Sequence, residues 1–299
     1  MNSQTGPKSP TSARHSFNNF SRRVSAAALI FICAALPSGC KNAFEEASTK
    51  NTNEAYLFDA KRAIDAQNYT LALEKLLALT PDFQQRRDVI STTASAYAGR
   101  CGLNFLKLAQ ALTDHPDDNL FKTLTSAFRN ATTGSIEDCS LAEAKMRSLG
   151  TGLDFSTLSA DENVFLAIVA FSKIGAIFGT YADVDNDGLT DSTFNACRTT
   201  VLSKESVQQI GVSMNVAVAA LSASGSSIAG NGLNGISGAC TMLGAGFNFC
   251  SVDKPSDVTD DMVRLLGGVI GSNQQPGLGV SFENTSCTAD PTIQNCVCP

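Results

Sequence analysis

The strongest constraint on this chain is the spacing of its apolar residues. From Glu54 onward they recur three and four positions apart, the period of one helical face. Tyr56, Ala60, Ala63 and Ile64 share a face over 54–67. Asn68 interrupts the pattern, and Tyr69, Ala72, Leu73, Leu76, Leu77 and Leu79 form a second face that Pro81 ends. Further helices are expected over 84–98, 103–113, 118–130, 138–148, 161–181, 203–223 and 257–271, with Gly99 and Gly102 marking one turn. Connections this short join antiparallel neighbours. The expected fold is therefore all-α, built of antiparallel helical hairpins or a helical bundle. Residues 224–250 are rich in Gly, Ser and Asn, and 272–299 read as irregular chain, so a loop-rich C-terminal part is expected.

The segment Val164–Tyr181 is the most apolar of these helices. A membrane span is one reading. Charges at Asp161, Glu162 and Lys173 interrupt the run, which favours a buried central helix.

The N-terminus reads differently. Arg22 and Arg23 precede an uncharged apolar run over 26–36, and the small residues Ser38 and Gly39 follow. The run is too short to span a bilayer, and the three-part order is that of a secretory signal. Leu36-Pro37-Ser38-Gly39-Cys40 resembles the lipobox of bacterial lipoproteins, with Pro37 departing from that family's preferred leucine. The resemblance implies cleavage after Gly39 and lipidation of Cys40. It also implies that Lys41 favours the outer membrane. The expected location is the bacterial cell envelope, lipid-anchored and facing the periplasm. Residues 1–39 hold Lys8, Arg14, Arg22 and Arg23 and no acids. Removing those four from 22 basic residues leaves 18 against 28 acidic, a net charge of −10. Such a body repels nucleic acid and anionic lipid, so acyl chains rather than a basic patch would hold the membrane.

Export agrees with the cysteines. Beyond Cys40 stand Cys101, Cys139, Cys197, Cys240, Cys250, Cys287, Cys296 and Cys298, an even set. Disulfides are the expectation, with pairing undetermined. A metal site at Cys287, Cys296 and Cys298 is the alternative, though zinc clusters usually show paired CxxC spacing.

The sharpest local motif is Asp183-Val-Asp-Asn-Asp-Gly-Leu-Thr-Asp191. Asp183, Asp185 and Asp187 fall at loop positions one, three and five, Gly188 at six and Asp191 at nine, while Leu189 at seven would offer its carbonyl. Calcium wants six to eight oxygens, and this order supplies part of such a set. The pattern resembles EF-hand, dockerin and thrombospondin type 3 loops. Position twelve, where the bidentate acid belongs, is Phe194. Glu205 or a distant acid would have to substitute, so binding is expected to be weak and structural. Gly230, Gly232 and Gly235 spell G-x-G-x-x-G, but no strand pattern precedes them. His115 is the only histidine beyond the signal, and there is no G-x-S-x-G, so no hydrolase triad is visible. Asp117-Asp118 and Asp260-Asp261 sit at expected helix starts, where the helix dipole favours acids.

"AKRAIDAQNYTLALEKLLALTP" resembles a tetratricopeptide repeat, with Asn68-Tyr69 at the turn, Ala72 on the second helix and Pro81 after it. Its tyrosine-to-proline spacing is short and no clean third repeat follows, so a plain helical bundle stays open. The organisation expected is a signal peptide over 1–39, a lipidated tether over 40–53, a helical domain over 54–223 with a calcium loop at 183–194, and a cysteine-stapled region over 224–299. The expected function is a non-enzymatic scaffold that binds a protein partner in the envelope. The alternative is a ligand-binding or solute-transport accessory lipoprotein with a small-molecule ligand.

Overall fold

Several helix starts in this chain are set by side-chain caps. The computed structural model describes residues 51–108, 120–225, 249–271 and 297–298, all within one unit spanning Asn51–Pro299. Thr52 accepts the Ala55 amide at 3.2 Å to open α1 (Asn53–Asp65). Asn68 accepts the Leu71 amide at 3.2 Å to open α2 (Tyr69–Leu77). The residue that interrupts the apolar pattern is thus the cap that restarts it. Pro81 starts a short turn, α3 (Pro81–Gln84), which delays α4 to Arg87–Cys101. Gly102, at φ 109°, ends α4 in the left-handed conformation that glycine adopts without strain.

The remaining helices are α5 (Leu120–Ala127), α6 (Thr133–Arg147), α7 (Ala160–Tyr181), α8 (Lys204–Ala223) and α9 (Asp260–Gly271). α6 begins earlier than its apolar pattern because Thr132 and Ser135 cap one another. α7 opens on the reciprocal pair Ser159 and Glu162. Pro255–Asp257 is a separate 3-10 turn, so α9 starts three residues later than expected. Residues 105–108 are helical, so the helix expected over 103–113 starts two residues later; 109–113 lie outside the described residues. Among the described residues no strand forms, only an isolated bridge between Thr151 and Asp154. The fold is all-α.

Two cores share α7. The first joins α1, α2 and α4 through small residues such as Ala60, Ala63, Ala72 and Ala96, and takes in Cys139 and Ala142 of α6 and Val169 and Ala176 of α7. The second is bulkier and holds Phe155, Phe178, Phe194, Ile210, Met214, Leu265 and Leu266. α7 is long and apolar enough to cross a membrane, but 67% of its apolar window is buried inside the fold. It packs against α5, α6 and α8.

Glycines allow the closest approaches. Gly99 lies inside α4 and not in a turn: a Cβ there would sit 2.2 Å from the Tyr69 ring. On α7, a Cβ at Gly179 would sit 2.1 Å from the Phe128 carbonyl oxygen. A backbone atom cannot step aside as a side chain can. Gly179→Ala is therefore expected to cost about 2–3 kcal/mol, the upper range for overpacking. A lowered urea midpoint with an unchanged slope is the check.

A charged pair fastens α4 to the start of α7. The Arg87 guanidinium donates to both Glu162 carboxylate oxygens, 2.7 Å from Nε to Oε1. Those bonds, aided by the Ser159 amide, hold the Glu162 carboxyl down at about 2. A depressed carboxyl contributes stability above its ordinary range, and that contribution fades as pH falls from 4.5 toward 2. Arg87 is half exposed, so solvent screening leaves about 1 kcal/mol. Arg87→Ala is expected to lower stability by that amount at pH 7 and to lose its effect near pH 2. Urea titrations at both pH values check this.

Candidate metal centre

The linker between α7 and α8 folds around carboxylates. Asp183, directly after the last turn of α7, is fully buried. Its Oδ1 accepts the Asp187 amide at 3.0 Å and its Oδ2 accepts the Gly188 amide at 3.1 Å. Asp185 Oδ1 also accepts the Asp187 amide, at 3.2 Å, and Asp187 Oδ1 accepts the Leu189 amide at 2.7 Å. Each short acid thereby turns the chain back on itself. The turn needs left-handed backbone at Asn186, φ 62°, and at Gly188, φ 88°. Asparagine and glycine are the residues that take it at least cost.

The result is a cluster of three acids. Carboxylate oxygens of Asp183, Asp185 and Asp187 lie within 4.8 Å of one another. Oxygens on opposite sides of a calcium ion stand about 4.6–5.2 Å apart, twice the coordination distance. That spacing is compatible with a shared cation. Burial pushes the Asp183 carboxyl above its ordinary value, with the Asp187 and Asp185 charges adding to the push, while the two backbone amides oppose it. A cation among the three would relieve that cost.

The other two expected ligands, Asp191 and the Leu189 carbonyl, follow in the same loop. Asp191 lies outside the three-acid cluster; its Oδ2 accepts the Val184 amide at 2.8 Å and its own amide donates to the Ala182 carbonyl at 2.7 Å. It closes the loop as a clasp. The Leu189 side chain points to solvent, 67% exposed. Phe194, at the twelfth position, is buried in the second core and offers no oxygen.

Cysteines pair where helices meet. Cys101 at the end of α4 bonds Cys139 on α6, and Cys197 in the linker bonds Cys298. Cys250 is also disulfide-bonded. Cys40, Cys240, Cys287 and Cys296 lie outside the described residues, as do His115 and the glycines at 230–235. Beside the first disulfide, Arg100 donates to both oxygens of Asp138, at 2.8 and 2.6 Å. Each partner of that ion pair is the chain neighbour of a bonded cysteine.

One polar cluster was not foreseen from the sequence. Glu143 on α6 is buried, and Lys173 on α7 brings its ammonium to 3.6 Å from Glu143 Oε1. Arg147 reaches the same oxygen at 3.6 Å, and the Ser213 hydroxyl on α8 donates to Oε2 at 2.6 Å. Arg147 also donates to the Asp253 carbonyl at 2.6 Å. The charge of Lys173 within an apolar helix was the visible signal; nothing in the sequence named its partner.

An open cleft of 430 Å³ adjoins the loop, lined by Tyr181, Val184, Asp191, Thr193, Phe194 and Arg198 among others. Comparison with family models, with curated proteins and with solved structures found no match to this chain.

Proposed function

We propose that this protein is a lipid-anchored envelope scaffold, non-enzymatic, whose helical hairpins bind a protein partner and whose acid loop takes a structural calcium ion. The observation that supports the scaffold reading is the outer surface of the first hairpin. Phe58 on α1 and Leu77 on α2 are large apolar side chains at 61% and 59% exposure. Leu71 on α2 is exposed as well. Apolar side chains left in water on a rigid hairpin favour a protein partner. TPR-like packing of the first hairpins would present that surface as a groove.

The calcium reading is supported by the three converging carboxylates and the buried Asp183. Asp183, Asp185 and Asp187 would hold the ion, with the Leu189 carbonyl and Asp191 as further ligands; the Asp191 bond to the Val184 amide also fixes the loop. An ion there would neutralise mutual repulsion and stiffen the α7–α8 connection. Anchorage through Cys40 to the outer membrane completes the reading, on the lipobox resemblance alone.

The cleft beside the loop favours a second reading, a ligand-binding accessory lipoprotein. Its volume lies in the range of small-molecule sites, and its walls mix hydroxyls, one acid, one arginine and apolar surface.

Affinity capture from crosslinked envelopes tests the first reading, with lipidated protein as bait in calcium and in chelator. The expected result is a partner that Phe58→Ser with Leu77→Ser releases. Capture that those two substitutions leave intact would overturn the docking surface. No captured protein in either condition would move the weight to the cleft.

A further inference from the structure

The two disulfides within the described residues differ in what they hold and in how they are reached. Cys101 and Cys139 are 1% and 0% exposed and join two helices already packed in the first core. Cys298 is buried at 4% exposure, but Cys197 is only partly buried and sits in the linker over 182–203, which lacks regular helix and carries the acid loop. Its partner Cys298 is docked on α9 by two hydrogen bonds. The Cys298 amide donates to the Arg264 carbonyl at 3.0 Å, and Arg264 Nε donates to the Cys298 carbonyl at 2.9 Å. Gly267 on α9 leaves room for the junction: a Cβ there would sit 2.8 Å from Cys298 Sγ and 3.1 Å from the Ala196 carbonyl oxygen. One covalent bond therefore ties the middle of the linker to Cys298, which hydrogen bonds hold on α9.

We propose that the Cys197–Cys298 disulfide is a redox latch on the linker that carries the acid loop. Thiol–disulfide exchange needs a thiolate to reach a sulfur, and access favours this bond over the buried one. A dithiol reductant attacks Cys197 Sγ through one thiolate. The Cys197–Cys298 bond breaks, a mixed disulfide forms, and Cys298 leaves as a thiolate that takes up a proton. The second thiol of the reductant then displaces Cys197. Two protein thiols remain, and the reductant carries away the new disulfide, having given up two electrons and two protons. The freed linker loses its covalent tie to Cys298 and is left with packing such as Ala196 against Gly267. Two sites that share an ordered segment are coupled, so opening the latch weakens cation binding at Asp183, Asp185 and Asp187. That last consequence rests on the calcium reading above; the latch itself does not.

The test incubates the full chain with limiting dithiothreitol, alkylates free thiols at intervals and maps them by mass spectrometry. Amide exchange is followed in the same samples. Cys197 and Cys298 are expected to label roughly tenfold sooner than Cys101 and Cys139. Exchange across 182–203 should rise in the same interval, while α1 to α4 stay protected. Equal labelling rates, or an unlatched linker that exchanges no faster, would overturn the proposal. Cys197→Ser with Cys298→Ser opens the latch without reductant and should reproduce the faster exchange; if that variant fails to fold, the limiting-reductant series decides alone. Calcium titration then compares the oxidised chain with the variant, and about fivefold weaker binding in the variant is expected. Equal affinities would overturn the coupling. Absent binding in the oxidised chain would sink the calcium reading, while labelling and exchange still decide the latch.

Discussion

Glu143→Ala is expected to cost about 3–5 kcal/mol, among the largest effects of any single substitution in this protein. The reason is what it leaves behind. Lys173 is 5% exposed and faces Glu143 from the middle of α7. Without the carboxylate its charge stays buried among apolar neighbours, and the Ser213 hydroxyl loses its acceptor. Arg147 keeps the Asp253 carbonyl and suffers less. The cost belongs to the stranded charge and not to the bond itself. Replacing both partners, Glu143→Leu with Lys173→Met, should therefore recover most of the loss. Urea unfolding of the three proteins checks this. A double variant as unstable as Glu143→Ala would show that the polar contacts themselves, and not a stranded charge, carry the stability.

Cys101→Ser with Cys139→Ser is expected to lower stability by about 4 kcal/mol, the loop-closure entropy for 38 residues. The bond sits at a junction that other contacts already define, beside the Arg100–Asp138 pair. The fold should survive its loss with the helix content intact. Circular dichroism and a urea midpoint together check this, and a loss under about 1 kcal/mol would mean that the ion pair and packing hold the junction in the unfolded chain as well.

Much of this architecture was legible because helices declare themselves locally. The apolar period placed nearly every described helix, and Asn68, Thr132 and Ser159 mark starts through caps whose chemistry lies within three residues. Errors arose where a residue's role is set by a distant neighbour. Gly99 reads as a turn residue, but its role is to admit the Tyr69 ring. The pattern over 84–98 ignored Pro81, which nucleates its own turn and shifts the next helix to Arg87. α7 is apolar for the reason a membrane helix would be, since every face meets hydrocarbon; here that hydrocarbon belongs to both cores.

The site divides the same way. The three acids at alternate positions are legible because a tight loop brings near neighbours together, and the oxygens of Asp183, Asp185 and Asp187 do converge. Asp191 reads equally well as a ligand; its Oδ2 also accepts the Val184 amide, a bond across the loop that spacing alone does not show. The Glu143–Lys173 contact, between residues 30 positions apart on different helices, could not be read from either segment alone. Nor could the pairing of Cys197 with Cys298, separated by 101 positions.

Calcium that orders the α7–α8 connection, as proposed, must also stabilise the folded chain. Urea unfolding of the full chain would be run in chelator and in calcium raised until the midpoint stops moving, beside Asp185→Ala with Asp187→Ala. A gain of about 2.7 kcal/mol is expected at a hundredfold excess over the dissociation constant, absent from the variant. The gain should shrink on acidification, because protons compete for the raised Asp183 carboxyl. Midpoints that coincide in calcium and chelator, or a gain that the variant keeps, would rule out an ordering ion at this loop.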